Sequence, residues 1–192
     1  MYTINQEVAE GTGSGATPIP VGINENVKFL GVEQKKDKNQ KSYLSFGFQD
    51  EDGSVISHNE FEANPDYITP KEGETIDEAV ARKVNNMLIR IKHICTQFVD
   101  PASFIINGDT FPDFCTNLVT FMSAKNISKL VRLKVVYNYK DYASLPNFTP
   151  FVEPMEKTPS SLKINPKYDK MEQDSATATT EAAVTTEPDL PF

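Results

Sequence analysis

The sequence predicts an α+β domain in which β-strands predominate. Two observations predict this class: segments with a two-residue apolar period stand on both sides of the central region, and a long segment with helical periodicity separates them. The chain has 192 residues, of which 39% are hydrophobic, which is enough for one domain with its own core. We therefore expect a fold that needs neither a metal ion nor a disulfide to be stable.

Three strands are predicted first, at 24–33, 42–49 and 54–62. The second is the clearest, because "SYLSFGFQ" places Leu44, Phe46 and Phe48 on one face and Tyr43 on the other. The lysine-rich turn "QKKDKNQK" precedes this strand, and "DEDG", which ends in Asp-Gly, follows it. Such short turns predict an antiparallel meander.

Two helices are predicted next. Thr75 and Glu78 have the spacing of a capping box at the start of a helix over 75–99, and a shorter helix is expected over 110–126. The basic residues Arg82 and Arg90 lie largely off the apolar stripe of the first helix and are interpreted as solvent-exposed. That stripe consists of Ile76, Val80, Val84, Met87, Leu88, Ile91, Ile94 and Phe98.

The period returns to two over 129–140, where Val131, Leu133 and Val135 alternate with Arg132 and Lys134. A short strand is predicted at 148–153 and an edge strand at 161–164. The composition divides the chain into a flexible, Gly-rich arm (1–20), a folded domain (21–168) and a disordered acidic tail (169–192).

Five strands with a helix between the third and the fourth match the connectivity of the OB-fold, a five-stranded Greek-key barrel. The second, shorter helix is inserted at the same place. Periodicity gives the order of the elements but not the closure of the barrel. A sandwich of helices on an open sheet is therefore the structural alternative.

The formal net charge of −8 is concentrated at the two ends of the chain. Residues 169–192 carry six acids and one lysine, and residues 1–20 carry two acids and no base. Residues 21–168 have 19 acids and 18 bases, so the domain is close to neutral. Such a domain can have a basic face despite the acidic total.

No catalytic or metal-binding pattern is found. His58 and His93 have no motif around them, and Cys95 and Cys115 lie in separate apolar segments, as buried reduced thiols do. The acids at 50–52 lack the rest of a calcium loop. We therefore expect a protein that is not an enzyme and has no cofactor, and the absence of a signal peptide or membrane span predicts a cytoplasmic one.

Basic and aromatic residues occur together in three places, a combination typical of single-strand binding, where bases stack on rings and cations follow phosphates. In an OB-fold, the first and fourth inter-strand loops flank the binding groove. The alternative is that these are a soluble turn and rings that cap the core. The candidate residues are Lys35, Lys36, Lys38, Lys41 and Tyr43; Arg132 and Lys134; and Tyr139, Lys140, Tyr142 and Phe148.

The stretches "INENVKFLGVE", "RIKHI" and "LVRLKVVYNYKDYASLPNFTPFVE" resemble the single-stranded DNA-binding proteins of tailed bacteriophages. The resemblance spans about 21–153. It implies an OB-fold with a long inserted helix and a protein that coats and protects single-stranded DNA in phage replication or recombination, in the host cytoplasm. An OB-like protein-interaction or virion-associated module without nucleic-acid binding is the other reading, and a homo-oligomer is possible.

The last four residues, Asp189, Leu190, Pro191 and Phe192, are similar to the C-terminal tip of bacterial single-stranded DNA-binding proteins. A terminal ring and carboxylate suit an apolar pocket with a basic rim on another protein. The resemblance implies that the tail recruits replication or recombination proteins, such as a polymerase, a helicase or a primase. The spread acids also predict competition with DNA for the basic groove.

Overall fold

The structure is a computed structural model, and it describes residues 17–125 and 127–174. Six strands and two α-helices form in chain order, with a short 3-10 turn at Pro65–Tyr67 before the first helix. The elements are β1 (Gly22–Lys36), β2 (Ser42–Gln49), β3 (Val55–Phe61), α1 (Ile76–Cys95), α2 (Phe111–Ser123), β4 (Leu130–Tyr137), β5 (Ala143–Ser144) and β6 (Val152–Pro154).

The strands form one antiparallel sheet in the order β3-β2-β1-β4-β5, with β6 also paired to β4. The long strand β1 joins the two halves, because its first part pairs with β4 and its second part with β2. Both ladders shift register along β1, near Asn26 (φ 55°) and Gly31 (φ 118°). Residues with such φ values at a bulge bend a strand, and at Gly31 the angle favours glycine.

The core lies between one face of this sheet and the two helices. Leu44, Phe46 and Phe48 from β2 are fully buried, as the alternation of this strand predicts. On β4, Val131 and Leu133 are buried on the same side of the sheet. Both helices contribute further buried side chains to this core, namely Met87, Ile91, Ile94, Cys95, Cys115, Leu118 and Met122.

The fold class is confirmed as α+β and mainly β, with three strands, two helices and then further strands. The sheet is open, because no ladder within the described residues joins β3 to β5, although their Cα atoms approach to within 8 Å. The prediction of a strand at 161–164 is wrong, and the two-residue strand β5 was not foreseen. A two-residue strand is too short to show a period in the sequence.

Helix α1 begins as its capping box predicts. The Thr75 side chain accepts a hydrogen bond from the Glu78 amide, and the Glu78 carboxylate accepts one from the Thr75 amide. The predicted apolar stripe is only partly buried, because Ile76 and Leu88 are about two-fifths exposed (41% and 40%). The buried face is centred instead on the line of Met87, Ile91 and Ile94.

The folded region extends beyond the predicted limits of 21–168. Ile19, which was assigned to the flexible arm, is fully buried, and the Val55 amide donates to the Thr17 carbonyl. Asp169, assigned to the tail, is buried in an ion pair with Lys134. Composition does not predict these contacts at either end of the domain, because each depends on a single apolar or charged side chain that packs against the folded part. The four residues of the tail tip lie outside the described residues.

His93 gives the fold a dependence on pH. Its Nε2 accepts hydrogen bonds from the amides of Phe151 (3.1 Å) and Val152 (3.3 Å), and burial, with the charge of Lys157, lowers its pKa from 6.5 to about 4. The neutral ring is therefore the form that the folded state holds. Its contribution is present above pH 6.5 and is lost as pH falls from 6.5 towards 4, by at most about 3 kcal/mol.

We expect the free energy of unfolding, measured with urea, to fall between pH 6.5 and 5 in the wild type and to fall less in a His93→Gln variant. Glutamine offers an acceptor oxygen that does not titrate. The carboxylates with lowered pKa, namely Glu60, Glu74, Glu78, Asp141 and Glu153, titrate below this window and do not affect the comparison. Parallel pH curves for the two proteins would contradict the role given to His93.

Candidate nucleic-acid interface

The outer face of β1, β2 and β3 carries an aromatic pair, of which Phe61 is exposed and Tyr43 is half-buried. Lys35, Tyr43 and Phe61 are cross-strand neighbours in the two ladders, so their side chains form one row on this face. The rings of Tyr43 and Phe61 stack with their centroids 4.8 Å apart and their planes 24° apart. Phe61 is 52% exposed, which is unusual for a phenylalanine in a sheet, so the pair offers a flat apolar surface to solvent.

Small side chains follow this row along the strands. Ser45 and Gly47 occupy the next two outward positions of β2. The side chain of Leu30, which is half exposed, leans across Gly47, where an added Cβ would lie only 3.2 Å from the Leu30 Cβ. Ser45 is only 5% exposed and Leu30 covers Gly47, so the accessible part of this face is the row of Lys35, Tyr43 and Phe61.

A rigid turn between β1 and β2 presents the predicted lysines. The Asp37 carboxylate accepts hydrogen bonds from the amides of Asn39 (2.8 Å) and Lys41 (2.9 Å), which fixes the turn. Lys36, Lys38 and Lys41 project into solvent from this turn. Lys41 lies near Phe61, whereas Lys36 pairs with Ser42 and so lies on the side of the sheet opposite Tyr43. Lys35 forms an exposed ion pair with Glu33 at 3.0 Å, which competes only weakly with an anionic ligand.

Two aromatic residues of this surface were not among the predicted site residues. Phe61 stands opposite Tyr43 in the ladder, and Tyr67, which is 87% exposed, lines a cleft with Phe61 and Lys41. The alternation of β3 contained the signal for Phe61, because it puts residue 61 on the face opposite Ile56. No period covers Tyr67, which lies in the 3-10 turn.

Arg132 and Lys134 share the outer face of β4, as predicted, but they are not exposed cations. Residues 155–174, here named the strap, cross this face and cover it. Lys134 is 6% exposed, and its ammonium pairs with Asp169 at 2.8 Å and donates to the Lys163 carbonyl at 3.1 Å. Alternation gives the side of the sheet on which a residue lies, but not what covers that side.

Arg132 is held by acids on both sides. Its guanidinium lies 2.9 Å from the Glu25 carboxylate and 3.5 Å from that of Glu153. Burial raises the pKa of Glu153, but hydrogen bonds from Ser160 and Ser161, together with the charge of Lys157, outweigh it and lower this pKa to about 2. The Arg132 guanidinium also donates a hydrogen bond to the Lys157 carbonyl at 2.9 Å, so Arg132 holds the start of the strap against β4.

The turn between β4 and β5 forms a second exposed group. Tyr139 and Tyr142 are 85% and 68% exposed, and the ammonium of Lys140 lies 5.5 Å from the centre of the Tyr139 ring. The Asn138 carboxamide oxygen accepts hydrogen bonds from the amides of Lys140 and Tyr142, so the turn is well defined. The predicted residues Tyr139, Lys140 and Tyr142 therefore lie together in this exposed turn.

The predicted site residues therefore fall into two exposed groups, and the covered pair Arg132 and Lys134 belongs to neither. The β1–β2 turn lies at the end of β1, whereas Val135 near the end of β4 pairs with Gly22 at the start of β1. The two turns are thus at opposite ends of the bent strand β1. Phe148 lies apart from both, in the loop between β5 and β6.

A buried ionisable cluster of Glu60, Arg90 and His58 links α1 to β3. Glu60 accepts two hydrogen bonds from Arg90 and lies 2.8 Å from the Nε2 atom of His58. Burial raises the pKa of Glu60, and the hydrogen bonds from Arg90 and His58 outweigh it and lower the net value. Arg90, interpreted from the sequence as solvent-exposed, thus pairs with the sheet.

Cys95 and Cys115 are buried and free, as expected, and burial raises the pKa of both thiols. Across residues 17–125 and 127–174, no group of three or more His, Cys, Asp or Glu side chains is arranged to hold a metal ion. Within the same ranges, no helix is both long and apolar enough to cross a bilayer.

Comparison with known proteins gives no assignment. No protein-family model matches the chain, and no curated protein matches it.

Proposed function

We propose that this protein binds single-stranded DNA without sequence preference and without catalysing a reaction. Its main contact surface is the outer face of β1, β2 and β3 with the lysine turn beside it. The stacked pair of the half-buried Tyr43 and the exposed Phe61 is the observation that carries the proposal. Aromatic rings on a sheet face hold unpaired bases by stacking, at about 1–3 kcal/mol per base.

The distribution of positive charge also supports DNA binding at this surface. Lys36, Lys38 and Lys41 are exposed in the turn at the end of the strands that carry the rings, and, in the part of the chain that the structure describes, none of them forms an ion pair. A strand whose bases stack on Tyr43 and Phe61 places its phosphates within reach of such flexible cations. The exposed turn with Tyr139, Lys140 and Tyr142 is a second contact for a strand long enough to reach it.

An OB-type barrel is the architecture that we propose for this domain. The strand order β3-β2-β1-β4-β5 and the approach of β5 to β3 support this proposal, because an OB-fold has the same order of neighbouring strands. In that architecture the face of the second and third strands and the first and fourth loops bind oligonucleotides. Both exposed groups of this protein lie at these places.

The resemblance of 21–153 to phage proteins suggests the setting. We propose that the protein coats exposed single strands in phage replication or recombination, in the host cytoplasm. The acidic end of the chain then serves as a docking segment, with Phe192 as the anchor for a polymerase, helicase or primase. Arg132 and Lys134 take no part in phosphate binding in this proposal, because both are covered and paired.

Replacing Lys36, Lys38 and Lys41 together with glutamine is expected to weaken single-strand binding at low salt and to flatten its salt dependence. Each phosphate that is no longer neutralised reduces the slope of log K against log salt by about 0.7, so the slope should fall by up to about 2. Anisotropy titrations of a labelled oligothymidylate at several salt concentrations measure both quantities.

A matched control carries glutamine at Lys83, Lys92 and Lys125, which are exposed lysines in or just after the two helices. It has the same net charge as the first variant but keeps the turn intact. We expect its salt slope to remain that of the wild type. Equal losses in the two triple variants would show that only the total charge matters and would contradict the assigned surface.

A further inference from the structure

A cleft lies between the loop that joins β5 to β6 and the strap. Phe148 forms one wall and Tyr168 the other, with their ring centroids 5.9 Å apart and their planes 58° apart. Both rings are mostly exposed, at 67% and 60%. At this distance the two rings contact each other as a tilted pair, and each keeps an exposed face on which a flat ligand can stack.

The floor of the cleft is polar and rigid. The buried ion pair of Lys134 and Asp169 lies there, and the Asp169 carboxylate also accepts a hydrogen bond from the Asn165 amide at 2.7 Å. Leu162 anchors the same stretch of the strap in the interior, with 4% of its surface exposed. The wall that carries Tyr168 is therefore fixed in place before any ligand arrives, which reduces the entropic cost of binding.

The rim of the cleft is basic. Lys163 lines the cleft, and the ammonium of Lys167 lies 5.2 Å from the centre of the Tyr168 ring. Neither lysine forms an ion pair with a carboxylate among residues 17–125 and 127–174. Of the acids that the structure describes, only Asp169 lines the cleft, and its charge is already matched by Lys134.

We propose that this cleft captures one unpaired nucleotide of a bound single strand, with its base stacked on Phe148 and Tyr168 and its phosphates beside Lys163 and Lys167. The aromatic walls suit the face of a base, and the polar floor suits its hydrogen-bonding edge. The lysines at the rim suit the phosphate backbone. The inference rests on the proposed function. It adds a further contact point for the strand, separate from the ring pair on the sheet and from the turn with Tyr139.

A tryptophan placed in the cleft tests the proposal in the full-length chain. The sequence contains no tryptophan, so the emission of a Tyr168→Trp variant reports that position alone. We expect an oligothymidylate of about 16 nucleotides, near the upper end of the site sizes of single OB domains, to quench this emission. The quenching midpoint should match the binding midpoint found by anisotropy. Free dTMP at the same nucleotide concentration should leave the emission unchanged.

Ile105 provides the control position, because it is 73% exposed and lies in the segment between α1 and α2. The emission of an Ile105→Trp variant should not respond to the oligothymidylate. In the otherwise unchanged chain, Phe148→Ala should weaken binding by about 5- to 150-fold, the range for the removal of one stacked ring. A thermal melt checks that this exposed substitution leaves the fold intact.

The outcomes separate the two proposals. If the wild type does not bind the oligothymidylate at all, the proposed function fails and the cleft proposal fails with it. If the wild type binds but the Tyr168→Trp emission stays constant and Phe148→Ala retains full affinity, the cleft proposal alone is overturned. Quenching by dTMP at the same midpoint as the oligothymidylate would overturn the assignment to a strand, because it indicates a site for a free nucleotide.

Discussion

Replacing Tyr43 and Phe61 together with alanine is expected to weaken the binding of an oligothymidylate by about 2 kcal/mol or more, roughly 30-fold. The two rings form the only stacked pair on the outer face of β1, β2 and β3 in the described part of the chain. Each ring that is removed takes away a stacking interaction of about 1 kcal/mol or more. Titration by fluorescence anisotropy, at one fixed salt concentration, measures the change.

Conservative variants separate stacking from other effects. Tyr43→Phe and Phe61→Tyr keep both rings and should bind almost as tightly as the wild type. Ile105→Ala removes an exposed apolar side chain of the segment between α1 and α2 and should also have no effect. If the double alanine variant folds normally, as judged by circular dichroism, and binds as well as Ile105→Ala, the ring pair is not part of a nucleic-acid interface.

Replacing Arg90 with methionine is expected to lower the free energy of unfolding by about 3–5 kcal/mol, because it leaves a buried carboxylate without its main partner. The Glu60 side chain is only 5% exposed, and Arg90 donates to both of its oxygen atoms. Urea denaturation at pH 7 measures the loss. Adding Glu60→Gln to the same chain should recover part of it, since the uncompensated charge is then gone.

Arg82 provides the matched control on the same helix. Its guanidinium also makes two hydrogen bonds to one carboxylate, that of Glu74, but this pair lies close to solvent. Water can replace the missing arginine there, so Arg82→Met should destabilise the protein much less. Equal losses for the two variants would contradict the importance of burial in the Glu60–Arg90 pair.

Local patterns were sufficient to predict most of the fold. The period of β2 placed Leu44, Phe46 and Phe48 in the core, and the capping box at Thr75 placed the start of α1 at the right residue. Both predictions rest on interactions within one element or one turn. Whether the sheet closes depends on the pairing of β3 and β5, which are far apart in the sequence, and periodicity contains no information about it.

The candidate site was less predictable because it depends on what covers each face. Arg132 and Lys134 look like Lys35 and Lys36 in the sequence, yet the strap buries the first two and leaves the others exposed. The strap itself has no period and forms neither a helix nor a strand. It is held by separate contacts, such as the one between Lys134 and Asp169, and these appear only once the chain is folded.

Most of the exposed aromatic residues found from the sequence stood next to lysines. Tyr139 and Tyr142 were identified in this way, whereas Phe61 and Tyr168 were not, although the structure exposes both. Phe61 ends a strand whose other face is apolar, and Tyr168 lies in a segment close to the predicted tail. Such residues can be recognised as candidate contacts only from their exposure in the folded protein.

A competition titration tests the central claim most directly. A labelled oligothymidylate is bound to the wild-type protein at low salt, and unlabelled single strands or duplex of the same length are then added. Bases in a duplex cannot reach the rings of Tyr43 and Phe61, so single strands should displace the label at far lower concentration than duplex does. Equal displacement by both, or no binding of the labelled strand at the outset, would contradict a surface built for unpaired bases.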